Sequence, residues 1–282
     1  MEKILVTTDE LAKHLGDSSW VVIDTRHDMA DVAKGRRDYA TSHIPGAYFL
    51  HLDDDLSGKK TGKNGRHPLP PLEVFAAKIN ALGVTPEKQV VVYDDLAGNF
   101  AVRLWWMLRW LGHDKVALLD GGFPLWAKEG RPLSSEVPPA RKGTFMPRPH
   151  LGATVDTPFV ERFHVSADIK LVDARAPERY QGLTEPLDPV AGHIPGAVNR
   201  FWKMNLNPDG TFKSFPQLRA EFDEFLGSAD PARVVHMCGS GVTACHNLFA
   251  MELAGLPSGR LYPGSWSEWC SDPARPVASQ KK

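Results

Sequence analysis

Cys238 is the side chain best suited to covalent chemistry. It follows the apolar run Val234-Val235-His236-Met237 and opens Cys238-Gly239-Ser240-Gly241-Val242-Thr243-Ala244, ahead of a helical pattern that continues to Leu253. This order predicts a strand, a tight loop and a helix, with the thiol at the strand's carboxyl end. The first turn of a helix leaves backbone N–H groups unpaired and carries partial positive charge, so the position favours thiolate over thiol. The thiolate is the nucleophilic form. Cys245 and Cys270 read instead as small buried apolar side chains.

The elements that must position this thiol occur twice. Val22-Ile23-Asp24-Thr25-Arg26 returns as Leu171-Val172-Asp173-Ala174-Arg175, an offset of 149, and His43-Ile44-Pro45-Gly46-Ala47 returns as His193-Ile194-Pro195-Gly196-Ala197, an offset of 150. Val91 to Gly98 lies over Val234 to Gly241 at an offset of 143, and Asp120-Gly121-Gly122 over Tyr262-Pro263-Gly264. Shared segments in fixed order imply a duplication. In that alignment Asp95 stands where the second half has Cys238. A carboxylate is a weak nucleophile toward sulfur, so the chemistry belongs to the second half. The repeated His43 and His193 read as turn residues, because the half without a nucleophile has one too.

Strand candidates at Trp20–Ile23, Val90–Tyr93, Val116–Leu119, Leu171–Val172 and Val234–Met237 alternate with helix candidates at Thr8–Leu15, Leu72–Leu82, Ala101–Leu111, Pro216–Leu226 and Val242–Ala254. The alternation predicts an α/β chain with two tandem domains, each a mostly parallel sheet covered by helices on both faces. Residues 1–135 form the first domain, 136–152 a linker rich in proline and charge, and 153–282 the second. Ligands of such sheets sit beyond the strands' carboxyl ends, where Cys238 is placed.

The 33 Lys and Arg against 34 Asp and Glu leave a net charge of −1. That balance gives no overall basic field for nucleic acid or an anionic membrane. The amino terminus lacks a signal-peptide core, and no run of about 18 apolar residues predicts a membrane span, so a cytoplasmic setting is expected. Three cysteines without a Cys-x-x-Cys pair argue against a disulfide framework or zinc, and no spacing predicts a metal or cofactor.

In the order and spacing of these segments the chain resembles the tandem-domain sulfurtransferases of the rhodanese family. The resemblance covers nearly the whole chain. It rests on the paired His-Ile-Pro-Gly-Ala segments, on the run from Cys238 to Ala244, and on Tyr262-Pro263-Gly264-Ser265-Trp266 followed by Trp269. It implies one active cysteine in the carboxyl-terminal domain and transfer of a sulfane sulfur through its persulfide. A small-molecule sulfur donor is implied, with thioredoxin, a low-molecular-weight thiol or cyanide as acceptor. The amides of Gly239, Gly241, Val242 and Thr243 would hold the outer sulfur.

Thiosulfate-specific members place basic residues directly after the cysteine; Gly239-Ser240 here resembles the 3-mercaptopyruvate branch. That likeness assigns Ser240 a catalytic role together with His67 and Asp53 of the amino-terminal domain, and Arg179 the donor's carboxylate. The branch's second arginine is missing from Thr184 to Gly192. The competing readings are thiosulfate as donor and a persulfide-carrying protein-binding module. Cysteine phosphatases close the same kind of loop with an arginine, and this chain has Ala244 there.

Overall fold

A computed structural model describes residues 3–280. The chain forms two compact units, one of Met1–Gly58, Pro70–His150 and Asn207–Phe212, the other of Lys59–Leu69, Leu151–Leu206 and Lys213–Lys282.

The first unit runs β1 (Leu5–Val6), α1 (Thr8–Lys13), β2 (Trp20–Asp24), α2 (Lys34–Thr41), β3 (Tyr48–Phe49), α3 (Leu72–Ala81), β4 (Gln89–Tyr93), α4 (Ala101–Trp110), β5 (Val116–Leu119) and α5 (Gly122–Lys128). Its strands lie in the order β1-β5-β4-β2-β3, all parallel. Val90, Val91 and Val92 are fully buried. Such continuous apolar runs belong to parallel strands covered on both faces. The segment after residue 140 is strapped to this unit: Phe145 is buried, and its backbone exchanges hydrogen bonds with the Asn80 amide at 2.7 and 3.0 Å.

The second unit runs α6 (Thr157–Phe163), β6 (Lys170–Asp173), α7 (Pro177–Tyr180), β7 (Val198–Asn199), α8 (Phe215–Leu226), β8 (Val234–Met237), α9 (Ala244–Leu253), β9 (Arg260–Leu261) and α10 (Ser265–Trp269). Its order is β7-β6-β8-β9, again parallel throughout. Alternate strand residues feed two cores. Leu171, Val235 and Met237 pack with Val160, Trp266 and Trp269, while Val172 and Val234 pack with Leu218, Phe222, Ala250 and Met251. Helices therefore cover both faces, as the alternating pattern predicts.

Both units use one device to pin the turn entering the strand beside the centre. Arg26 binds the Asp24 carboxylate and the Ser42 carbonyl, both at 2.7 Å; Arg175 binds Asp173 at 2.6 Å and the Gly192 carbonyl at 2.7 Å. His43 and His193 each hydrogen-bond a tyrosine carbonyl through Nδ1 at 2.7 Å and stack on that tyrosine's ring. Their repetition is structural.

The register corrects one sequence reading. Asp24 pairs with Tyr93 and its repeat equivalent Asp173 with Met237, so Asp94, not Asp95, takes the strand-end position of Cys238. Six residues separate Asp94 from α4 and five separate Cys238 from α9. The extra loop residue makes an alignment anchored on the helix slip by one.

Candidate active site

β8 delivers Cys238 to the carboxyl edge of its sheet, with only 2% of the residue exposed. The backbone there is clamped by the segment that enters α10. Cys238 N donates to Ser265 Oγ at 3.1 Å, and the carbonyls of Cys238 and Gly239 accept from the amides of Trp266 and Ser267 at 3.0 and 2.9 Å. Ser265 adopts a left-handed φ of 53°, which an L-residue takes only under compulsion, and its hydroxyl also donates to Tyr262 O at 2.9 Å.

Beyond Cys238 the chain curls before α9 begins. Among the described residues the amides of Gly239, Ser240, Val242 and Thr243 donate to no protein acceptor. Consecutive unengaged amides ahead of a helix make a concavity for an anion. Gly241 permits the curl: its φ is 74°, and an added Cβ would stand 2.3 Å from the Pro263 carbonyl.

The first unit shows the same device filled. Asp94 is fully buried, and its carboxylate accepts amides from Leu96, Gly98, Phe100 and Ala101 at 2.7 to 2.9 Å. Burial drives its carboxyl group upward in pKa, and these four amides oppose the rise. One half thus carries its acceptor as a built-in side chain; the other presents a thiol at the same point.

Ser240 is buried, and its Oγ lies 2.7 Å from Nδ1 of buried His67. His67, expected from the amino-terminal domain, sits on the 59–69 segment that packs within the second unit. That segment is held by close backbone approach: Arg66 N donates to Ser267 Oγ at 3.0 Å, and a Cβ on Gly65 would stand 2.9 Å from the Gly264 carbonyl. Asp53 lies in the first unit, 3.9 Å from His27 Nε2. Ligand atoms of His27, His51 and Asp53 fall within 4.8 Å of one another, a grouping that the sequence spacing does not announce.

A chain of alternating charges leads from the sheet to the loop. Asp173 binds Arg175, Arg175 reaches Glu185 at 3.3 Å, Arg179 binds Glu185 at 2.7 Å and Asp188 at 3.3 Å, and Asp188 binds Arg66. All three carboxylates are at most 3% exposed. Burial works against the charge on Arg175, but Asp173, Glu185 and Cys238 outweigh it and raise its pKa, so a fixed cation stands near the thiol. Arg179 extends from α7 to the loop: a methyl built on Gly239 would lie 3.4 Å from its Nη1 and Nη2.

Of the residues singled out in sequence, Cys238, Gly239, Ser240, Gly241, Val242, Thr243, Arg179 and His67 all lie in this unit, and Asp53 in the other. Arg66, Arg175 and Ser265 went unremarked as site residues. Cys245 is fully buried, and burial followed by the charges of Asp188 and Glu185 pushes the Cys270 thiol up to about 11. His236 is buried and neutral, pushed down to about 3 by burial and then by Arg200.

Comparison with known proteins gives these features a context. The rhodanese-like domain family matches residues 7–129 and 160–272. Over 277 residues the chain is 45% identical to a probable 3-mercaptopyruvate sulfurtransferase of Pseudomonas aeruginosa, covering 98% of both chains. Over another 277-residue alignment it is 37% identical to a putative thiosulfate sulfurtransferase of Mycobacterium tuberculosis, covering 98% of this chain and 96% of that one. The crystal structure of the 3-mercaptopyruvate sulfotransferase SseA from Escherichia coli matches with a TM-score of 0.80 at 31% identity, over 94% of this chain and 99% of that chain. Among the described residues no helix is long and apolar enough to cross a membrane.

Proposed function

The chain belongs to the rhodanese family and is a sulfurtransferase, and on that premise we propose that it moves a sulfane sulfur from 3-mercaptopyruvate to an acceptor through a persulfide on Cys238. The Cys238 thiolate attacks the donor's sulfur, and the carbon–sulfur bond breaks as the sulfur–sulfur bond forms. The enzyme then carries Cys238–S–SH, and the organic fragment leaves as the enolate of pyruvate, which takes up one proton. A thiol such as thioredoxin or a small thiol, or cyanide, removes the outer sulfur and restores the thiolate.

The 2.7 Å approach of Ser240 to His67 carries this reading. A carbanion-like leaving group needs a proton at carbon, and a hydroxyl backed by an imidazole can deliver it. Thiosulfate would leave as sulfite, which needs none. Within the proposal the loop amides from Gly239 to Thr243 hold the charge on the reacting sulfurs, and Arg179 takes the donor's carboxylate with its planar fork. Asp53 keeps the role that family resemblance assigns it, and Asp53→Asn kinetics decide that role.

The test compares kcat/KM for 3-mercaptopyruvate and thiosulfate with cyanide as acceptor, alongside intact-mass spectra of the protein treated with each donor alone. A single added sulfur on Cys238 and a preference for mercaptopyruvate are expected. A preference for thiosulfate would replace the donor, and the absence of any adduct would remove the persulfide.

A further inference from the structure

We propose that His27, His51 and Asp53 form a binding site for a first-row divalent cation of the zinc type, at the carboxyl edge of the first sheet. The inference stands apart from the donor reading above and concerns the unit that lacks the nucleophile. Ligand atoms of the three side chains lie within 4.8 Å of one another. His27 Nε2 and Asp53 Oδ2 are 3.9 Å apart, and the two imidazoles meet edge to face with centroids 5.1 Å apart. Two imidazoles and one carboxylate are a donor set that zinc takes when its fourth position is left to water.

Two neighbouring strands bring these donors together. His27 lies just past the end of β2 and His51 just past the end of β3, and the two strands pair in parallel, so both rings stand where ligands of such sheets collect. A tight turn folds the chain back after His51: Asp55 N donates to the His51 carbonyl at 2.9 Å, and His51 N donates to Asp55 Oδ2 at 2.7 Å. That turn returns Asp53 to the imidazoles. α2 closes another side, since a Cβ on Gly35 would stand 1.9 Å from the Arg26 carbonyl and 3.4 Å from His27 Cα. The His27 ring also meets Phe100 edge to face at 5.1 Å. Both histidine side chains are buried, and the partly exposed Asp53 marks the way in.

The hydrogen bonding of His51 is that of a metal ligand. Its Nε2 lies 2.8 Å from the Val32 carbonyl, which can only accept, so Nε2 carries the proton and Nδ1 the lone pair. Ligating imidazoles are oriented in this way, by a carbonyl or carboxylate on the far nitrogen. The Asp54 amide meets Nδ1 at 3.3 Å, a long contact that a metal bond of about 2.1 Å would replace. Nearby cations are engaged by other carboxylates: Arg36 by Asp54, Lys78 by Asp55 and Lys34 by Asp38. Tetrahedral donors at zinc sit about 3.4 Å apart, and Asp53, as the exposed member, moves furthest to reach that spacing.

The test is titration of the untagged full-length Cys238→Ser chain, whose reactive thiol cannot take the metal, with zinc by calorimetry and with cobalt(II) by its visible d–d absorption. Family resemblance gives Asp53 a part in catalysis, so binding and not turnover is the readout. One equivalent of each ion is expected, with a rise in Tm because the ion binds the folded chain. His27→Gln and His51→Gln in the same chain should each weaken zinc by about a hundredfold or more, at or above the loss from removing an outer partner of a ligand. A chain that takes no zinc at millimolar ion overturns the site, as does an equivalent whose affinity survives either glutamine variant. Zinc-edge X-ray absorption of the loaded Cys238→Ser chain should show two imidazoles among nitrogen and oxygen neighbours. A sulfur neighbour or fewer than two imidazoles overturns the assignment, and this spectrum decides alone should a glutamine variant fail to fold.

Discussion

Ser240 Oγ and His67 Nδ1 lie within hydrogen-bond reach at 2.7 Å, both groups buried, with Ser240 two residues after the nucleophile. A pair so placed is useful to a leaving group that must be protonated and idle for one that need not be. Ser240→Ala and His67→Asn should therefore lower kcat/KM for 3-mercaptopyruvate by about a hundredfold or more, the range of positioned proton transfer. With thiosulfate the loss should be smaller by at least about tenfold. Equal losses with both donors would assign the pair to loop positioning instead.

Asp94 fills the concavity of the first unit, and its loss should be costly. Asp94→Ala leaves three buried amides and one partly buried amide without their acceptor. The cost should be about 3 kcal/mol or more in urea unfolding. Asp95→Ala, at a partly exposed position paired with Lys34 at 3.6 Å, should cost less than about 1 kcal/mol. The two variants side by side decide which aspartate occupies the strand end.

His236 makes stability depend on pH. In the unfolded chain it protonates near 6.5, whereas in the core it protonates only near 3. The unfolded state therefore binds the extra proton first, and stability falls as pH drops from about 6.5 towards about 3. The full difference corresponds to about 5 kcal/mol. His236→Val, which copies Val92 at the matching register of the first sheet, should flatten the acid limb of the stability curve. An unchanged limb would place the acid sensitivity elsewhere.

Gly241 combines a left-handed φ with a closed neighbourhood; Gly16 has a φ of 80° with nothing within 4 Å of an added Cβ. Gly16→Ala should cost only the strain of that conformation, about 1–2 kcal/mol. Gly241→Ala must also push the loop from Pro263. Sulfur loading, followed by the rate of adduct formation in the mass spectrum, should slow by about a hundredfold. A Gly241→Ala chain that loads at the wild-type rate would show that the curl does not hold the reacting sulfur.

The sheets were legible because buried parallel strands advertise themselves: Val90-Val91-Val92 and Val234-Val235 have no competing reading. α2 was not, since Lys34-Gly35-Arg36-Arg37-Asp38-Tyr39 buries only Gly35 and Tyr39 and shows no apolar period. Cys238 announced itself through its place between an apolar strand and a helix, whereas Ser240 and Arg179 came only with the family resemblance. Arg66 did not, although it adjoins His67, because nothing local tells an arginine in a polar loop that it will reach Gly239. Chain proximity is a poor guide once a fold returns a distant segment to the same place. The Asp95 assignment failed for a related reason: a one-residue loop difference is invisible until strand pairing fixes the count.

The allocation of residues 59–69 to the second unit bears on how this duplicated chain could be dismantled. A fragment starting at residue 151 would inherit the thiol, Ser240 and Arg179, yet it would leave behind His67 and Arg66. The second unit is thus not one continuous stretch, and loss of the first copy from the gene would also remove the side chains that meet Ser240 and Asp188. Once a short stretch of one copy groups with the other, no single cut in the chain returns the two copies intact.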